Sequence, residues 1–160
     1  MKSPDSLTNH FLIAMPSLAD ANFARSVTLI CEHSEEGCMG IVINRLTDLH
    51  LSDIFDQLGI APDKASYADD VVYLGGPVQN NRGFVLHEPL GDWESTLSVT
   101  DKFGVSTSRD ILEAFAENRG PEKFIVALGY AGWGAGQLER EITENSWLSG
   151  PASRDIIFDL

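Results

Sequence analysis

The sequence predicts an α+β protein in which hairpins dominate and helices are added between them. Three observations carry this. Two pairs of short apolar runs are joined by tight polar turns, as hairpin arms are. Two helical stretches with apolar stripes end at Gly59 and at Gly120-Pro121. The order of these elements does not follow the strict strand-helix-strand alternation of a parallel sheet.

In chain order, Ser26 to His33 (SVTLICEH) and Cys38 to Asn44 (CMGIVIN) read as a hairpin closed by Ser34 to Gly37. Both arms are apolar on both faces, as expected for strands covered on each side. Leu51 to Gly59 is a short helix with Ser52 as its N-cap, Ile54, Phe55 and Leu58 as its stripe, and Gly59 as its stop. Val71 to Val78 and Gly83 to His87 are strands on either side of a Gly-Gly-Pro turn, and Thr96 to Thr100 with Phe103 to Thr107 forms a second hairpin. A helix runs from Arg109 to about Asn118, capped by Thr107 or Ser108, with Ile111, Leu112 and Phe115 facing the core. The strand KFIVALGYAGW, Lys123 to Trp133, leads into a glycine loop and a helix from Gln137 to about Glu144; Ile156 to Phe158 reads as a last strand.

The chain has 160 residues, about the length of one domain. Its apolar content of 43% and charged content of 22% are ordinary for a globular protein. Its charge is not: 11 Lys and Arg stand against 24 Asp and Glu, a net charge of −13. Without a basic tract, phosphates of a nucleic acid or an anionic membrane surface have no counterpart here, so neither is an expected partner. The apolar run Phe11 to Met15 is too short for a signal core and is closed by Pro16. No run approaches the ~20 residues of a membrane span. Two cysteines make no disulfide framework, and a cytoplasmic location is expected.

Gly129 to Gly136, GYAGWGAG, holds four glycines in eight residues between a strand and a helix. Such a turn can cradle an anion, because free backbone N–H groups and the helix dipole point the same way. Gly132, Gly134 and Gly136, with Trp133, are the candidate contacts. Gln137 and Leu138 stand where a phosphate-binding P-loop needs Lys and Ser or Thr, and Gln137 replaces the last glycine of a dinucleotide fingerprint. The plainer alternative is a tight corner in which glycine lets backbone and Trp133 pack closely.

The stretch CEHSEEGC places Cys31, His33 and Cys38 on one face if the hairpin is regular, with Cys31 diagonal to Cys38. A redox pair or a metal site would follow, but no fourth ligand is evident, and no metal or cofactor is expected. Ser26, Ser106 and Ser108 could be combined with His33 or His87 into a hydrolytic trio, yet no nucleophile-elbow or zinc-protease motif supports it, and no catalytic residue is assigned. Gly75 to Pro89, GGPVQNNRGFVLHEP, brings Arg82 and His87 near the turn at Gly75 and Gly76. Arg82 either clamps an anion or pairs with one of the many acids.

The segments MPSLADANFARSVTLICEH, GIVINR, GGPVQNNRGFVLH, STSRDILEA, GPEKFIVALGYAGWGAGQLEREI and NSWL occur together and in the order of the bacterial AlgH/YqgE family, which the chain closely resembles from about His10 to Asp159. The resemblance implies an antiparallel, bifurcated sheet curled into a pseudo-barrel with flanking helices. It implies a cytosolic protein with no accepted catalytic residue, metal or cofactor, and hence no established biochemical activity. Some members are named as transcriptional regulators of polysaccharide production; with a charge of −13 such a role would be indirect. Cys38 stands where members more often have alanine, which weakens a shared role for Cys31 and Cys38. Residues 1–160 are expected to form one domain lacking a C-terminal segment, since members usually continue beyond the position of Leu160.

The leading expectation is a non-enzymatic regulatory module that binds a protein partner or a small anionic ligand where Gly129–Gly136 meets Gly75–Arg82. The alternative is an enzyme acting on a phosphorylated small metabolite, with Arg82 and the glycine loop holding the anion and His87 as acid or base.

Overall fold

The computed structural model describes residues 6–16, 23–59, 70–117 and 119–158. Asn118 and Asp159, near which the second helix and the family resemblance were expected to end, lie outside them, as does Leu160. The hairpin in the first half forms as β2 (Val27–Ser34) and β3 (Gly37–Val42), preceded by β1 (His10–Ala14). Then follow β4 (Leu46–His50), α1 (Leu51–Leu58), β5 (Val71–Leu74), β6 (Val78–Glu88), and the short hairpin β7 (Thr96–Ser98) and β8 (Gly104–Ser106). The last elements are α2 (Arg109–Ala116), β9 (Lys123–Gly134), α3 (Gln137–Thr143), β10 (Trp147–Pro151) and α4 (Arg154–Phe158).

The strands run in the order β10-β1-β2-β3-β9-β6-β8-β7, and the sheet curls into a half-barrel with helices against it. The fork lies along β9. Gly132 and its neighbours pair with β3, Ala127 and Leu128 pair with β5, and β6 runs along the other side. The β5–β9 pairing is parallel, the exception in an otherwise antiparallel sheet. Gly75 sits at the fork itself, accepting from the Val42 N–H (2.9 Å) and donating to the Leu128 carbonyl (2.7 Å).

Alternation along the strands distributes the core. Leu29, Ile41, Phe84, Leu86 and Ala127 face the inside of the curl, which Ile157 of α4 helps to close. Val85 and Val126 point outward beneath α1 and α2, against Phe55 and Phe115. Leu12, Ile30, Trp133 and Trp147 meet Leu138 of α3.

Several expectations are corrected. The expected strand Val71 to Val78 breaks after Leu74, because its two ends pair with different regions of β9. The supposed glycine loop is mostly strand: β9 pairs through Gly132 and Gly134, and the chain turns only between Gly134 and Gln137. Ile156 to Phe158 is helical, begun by the Ile157 N–H donating to the Ser153 carbonyl; three apolar residues have no readable period. Helix α1 starts before Ser52, with Asp53 accepting from the backbone N–H of His50 (2.8 Å), while Gly59 closes it in the left-handed conformation as expected. Ser108 does occupy the N-cap position of α2, but its hydroxyl turns to Asp110, and it is Asp110 that accepts from the Ile111 N–H.

Candidate functional site

The motif Gly134–Glu141 is a corner held by side chains. Gly136 takes φ +74°, a left-handed conformation that glycine adopts without strain. The amide oxygen of Gln137 accepts from the Gly134 N–H (3.0 Å), so the donor that would face an anion is occupied. Glu139 lies in the first turn of α3, where it opposes an anion. Glu141, one turn on, accepts from the indole N–H of Trp133 (3.1 Å) and of Trp147 (2.9 Å) through one oxygen and from Gln137 (2.9 Å) through the other. Trp133 and Trp147 meet edge to face, with centroids 5.8 Å apart. The i, i+4 spacing of Gln137 and Glu141 thus fastens α3 to the two tryptophans.

The cysteines do not form the expected pair. His33 stands opposite Cys38 and Ile30 opposite Gly40, so Cys31 is the extra residue of a β-bulge. Cys31 keeps the inner-core side of Leu29, while Cys38 belongs with Ile30 to the opposite face. Both thiols are buried and free. Burial, then Glu139 and Glu32 nearby, push the Cys38 thiol up to about 12, and burial raises Cys31 further. Both are therefore protonated and poor nucleophiles at neutral pH. His33 accepts the Leu7 N–H at Nδ1 (2.8 Å), which leaves its proton on Nε2, facing Glu139 (3.3 Å). Among the described residues no three His, Cys, Asp or Glu are grouped to hold a metal ion.

Arg82 and His87 do not converge. His87 is fully buried on the outward face of β6, the face of Val85, opposite Phe124. Its Nδ1 lies 2.9 Å from the Pro89 carbonyl, an acceptor, so the proton is on Nδ1. Nε2 then accepts from the Ser106 hydroxyl (2.7 Å), which in turn accepts from Thr96 (2.8 Å). A Ser–His contact therefore exists, but both residues are fully buried and a backbone carbonyl stands where a triad has its acid. The expected acid–base role for His87 is withdrawn on this geometry. Its work is structural, tying β6 to β8.

Burial lowers the His87 pKa, partly offset by the bond to Pro89, so the native ring stays neutral where an unfolded one is protonated. Stability from this group is complete above the unfolded value of about 6.5 and is lost as pH falls below it. The wild type minus His87→Gln difference in unfolding free energy, from urea titrations, is expected to shrink on acidification from about pH 7 to 5, by at most about 1.4 kcal/mol per pH unit. A difference independent of pH would show that the native ring takes up its proton as readily as the unfolded one.

What the structure does bring together is a cleft of about 760 Å³ between the β2–β3 turn and the start of β6. Arg82, Gly132 and Trp133 line it, with Met39, Phe84 and Tyr130 forming an apolar floor and Glu32 and Glu36 among its polar lining. Gly75 and Gly76 lie behind it, packed on the backbone of β9 from Gly129 to Ala131. The guanidinium of Arg82 donates to Thr107 Oγ1 (3.3 Å) and, among the described residues, forms no ion pair. Asp110, three residues on from Thr107, is held by its own surroundings: burial alone would raise its pKa, but bonds from Ser108 and the N–H groups of Glu94 and Ile111 outweigh that and keep it charged. Glu32, Tyr130 and Thr107 were missed in the sequence because only the fold brings them into one cleft with Arg82. No helix is long and apolar enough to cross a membrane among the described residues.

Comparison with known proteins agrees with this architecture. A protein named UPF0301 from Thioalkalivibrio sulfidiphilus is 56% identical over 160 residues, covering 100% of this chain and 86% of the relative. Another from Nitrosococcus oceani is 51% identical over 159 residues, 99% of this chain and 85% of the relative. The solution structure of the AlgH protein from Pseudomonas aeruginosa superposes with a TM-score of 0.87 at 50% identity, covering 100% of this chain and 85% of that one. The crystal structure of DIP2367 from Corynebacterium diphtheriae shares the fold at 22% identity, with a TM-score of 0.74 over 98% of this chain and 82% of that one. The AlgH-like family profile matches residues 11–160, and with these relatives it places the chain in the AlgH-like family of bacterial proteins.

Proposed function

We propose that this protein is a non-enzymatic, regulatory binding module of the cytoplasm whose cleft at Arg82 holds an anionic group, carried by a small ligand or by a partner protein. Any effect on transcription is then indirect. The observation that carries this reading is Arg82 itself. In a chain with 24 acids against 11 Lys and Arg, an arginine that lines the large cleft has no carboxylate partner among the described residues. A cation left unpaired amid so much negative charge is a natural seat for an external anion, since guanidinium matches carboxylate and phosphate oxygens with paired donors.

The test is a thermal-unfolding screen against nucleotides, sugar phosphates and organic acids, run on the wild type and on Arg82→Gln. A ligand at ~100 times its dissociation constant adds roughly 2.7 kcal/mol, several degrees in a domain of this size. Arg82→Gln is expected to keep its own melting temperature within about 2 °C, since one exposed hydrogen bond to Thr107 is lost, and to weaken binding at least ~10-fold. Binding that is equally tight in the variant would refute the assignment. So would a wild type that none of these anions stabilises and that retains no Arg82-dependent protein partner.

A further inference from the structure

We infer that the anion held at Arg82 is a doubly charged, phosphate-type head clamped between Arg82 and Arg109, on a ligand whose uncharged apolar body lies in the larger cleft. This rests on the reading of that cleft as a binding site.

On its other side Arg82 borders a second hollow of about 360 Å³, lined also by Gln79, Asn81, Thr107 and Arg109. Gln79, Arg82 and Thr107 line both hollows, so the two adjoin at Arg82. Among the described residues no Asp or Glu lines the smaller one. Two of the 11 Lys and Arg in a chain of charge −13 therefore share one small space with two amides and a hydroxyl. Arg109 touches Glu113 only through Nε, at 3.5 Å, in an ion pair whose members are 51% and 53% exposed, a weak tie that an incoming anion can outcompete. Asp110 is held by Ser108 and two backbone N–H groups.

The number of donors sets the class of head. One guanidinium satisfies a carboxylate with two parallel bonds. Two guanidiniums carry two positive charges, which the single charge of a carboxylate leaves half balanced and which match a phosphate monoester, with three free oxygens and nearly two charges at neutral pH. The larger cleft sets the class of body. Its floor is Met39, Phe84 and Tyr130 with Val78 and Leu97, while Glu32 and Glu36 repel any further negative charge. A polyphosphate is therefore a poor occupant, and a monoester of an apolar or aromatic alcohol a good one.

Isothermal titration at about pH 7.5 with three probes tests this: benzyl phosphate, phenylacetate and inorganic phosphate. Benzyl phosphate is expected to bind at least ~10-fold tighter than either of the others. Arg82→Gln and Arg109→Gln should each weaken it by ~10-fold or more, whereas Arg154→Gln, on α4 and paired with Glu88, should leave it unchanged. Phenylacetate binding as tightly, or Arg109→Gln binding like wild type while Arg82→Gln does not, overturns the double clamp and leaves the Arg82 site standing. Failure of benzyl phosphate to bind the wild type overturns this inference; the broader reading falls with it only if the anion screen and partner search also find nothing that depends on Arg82.

Discussion

Gly76→Ala is expected to cost this protein at least about 4 kcal/mol, a large share of the stability of a typical domain. A Cβ at Gly76 would stand 2.1 Å from the carbonyl carbon of Tyr130 and 2.5 Å from the amide nitrogen of Ala131. Those atoms are backbone of the central strand β9, so no side-chain rotation relieves the overlap and the strand itself must move. Moving it breaks the fork: the bonds from Val42 to Gly75 and from Gly75 to Leu128 lie one residue away, and the Val78–Tyr130 pairing two. Gly132→Ala is the matched control. A Cβ there meets only the ring edge of Tyr130 at 3.5 Å, an ordinary contact, and the expected change is below about 1 kcal/mol. Urea denaturation of both variants gives the answer. Equal stabilities would mean that the fork tolerates separation of its strands.

The contrast between those two glycines explains what was legible in the sequence. The four glycines from Gly129 to Gly136 look alike in a string, yet they serve different ends: Gly132 is a strand residue with room beside it, and Gly136 is a left-handed cap. The hairpins β2–β3 and β7–β8 were readable because their turns are local. The long strand β9 was read as ending near Trp133 in a loop, since glycine argues against strand wherever tertiary pairing is unknown. Here β3 supplies the pairing that glycine lacks on its own. Strands β1, β4 and β10 were not read as strands at all, because each is short and is defined by its neighbour.

The site was legible in a different measure. Arg82, Gly132 and Trp133 were named and do line one cleft. The Cys31–Cys38 pairing failed on a single bulge, which inverts the side of every residue after it and leaves no mark in the sequence. His87 failed because strand parity, once β6 is placed, turns it from the face of Phe84 to that of Val85. Of the two readings of Arg82, an ion pair or an anion clamp, no ion pair forms among the described residues. Whether a charge is paired depends on which acids the fold carries elsewhere, as it does Asp110.

Glu141→Leu should be the second most damaging of these changes, lowering stability by about 3–5 kcal/mol and the melting temperature by roughly 6–15 °C. The leucine is close in size and apolar, so the loss is not one of volume. It comes from two indole N–H groups, on Trp133 (6% exposed) and Trp147 (4% exposed), left without an acceptor in the core, each costing about 1–3 kcal/mol. Gln137 loses its partner as well, and with it the hold on the Gly134 N–H that shapes the corner. Glu141→Gln separates acceptor from charge. Its amide oxygen still serves one or both indoles, so about 1 kcal/mol is expected, whereas a loss equal to that of leucine would mean the carboxylate charge is what binds. Glu139→Gln, touching His33 from a carboxylate that is 53% exposed, should change stability by less than about 1 kcal/mol. Thermal unfolding followed by tryptophan emission reads all three, because Trp133 and Trp147 report on the corner directly. If Glu141→Leu melts like the wild type, the glycine-rich corner is held by backbone alone and the Gln137–Glu141 spacing needs another explanation, one that would have to begin from what α3 presents to solvent.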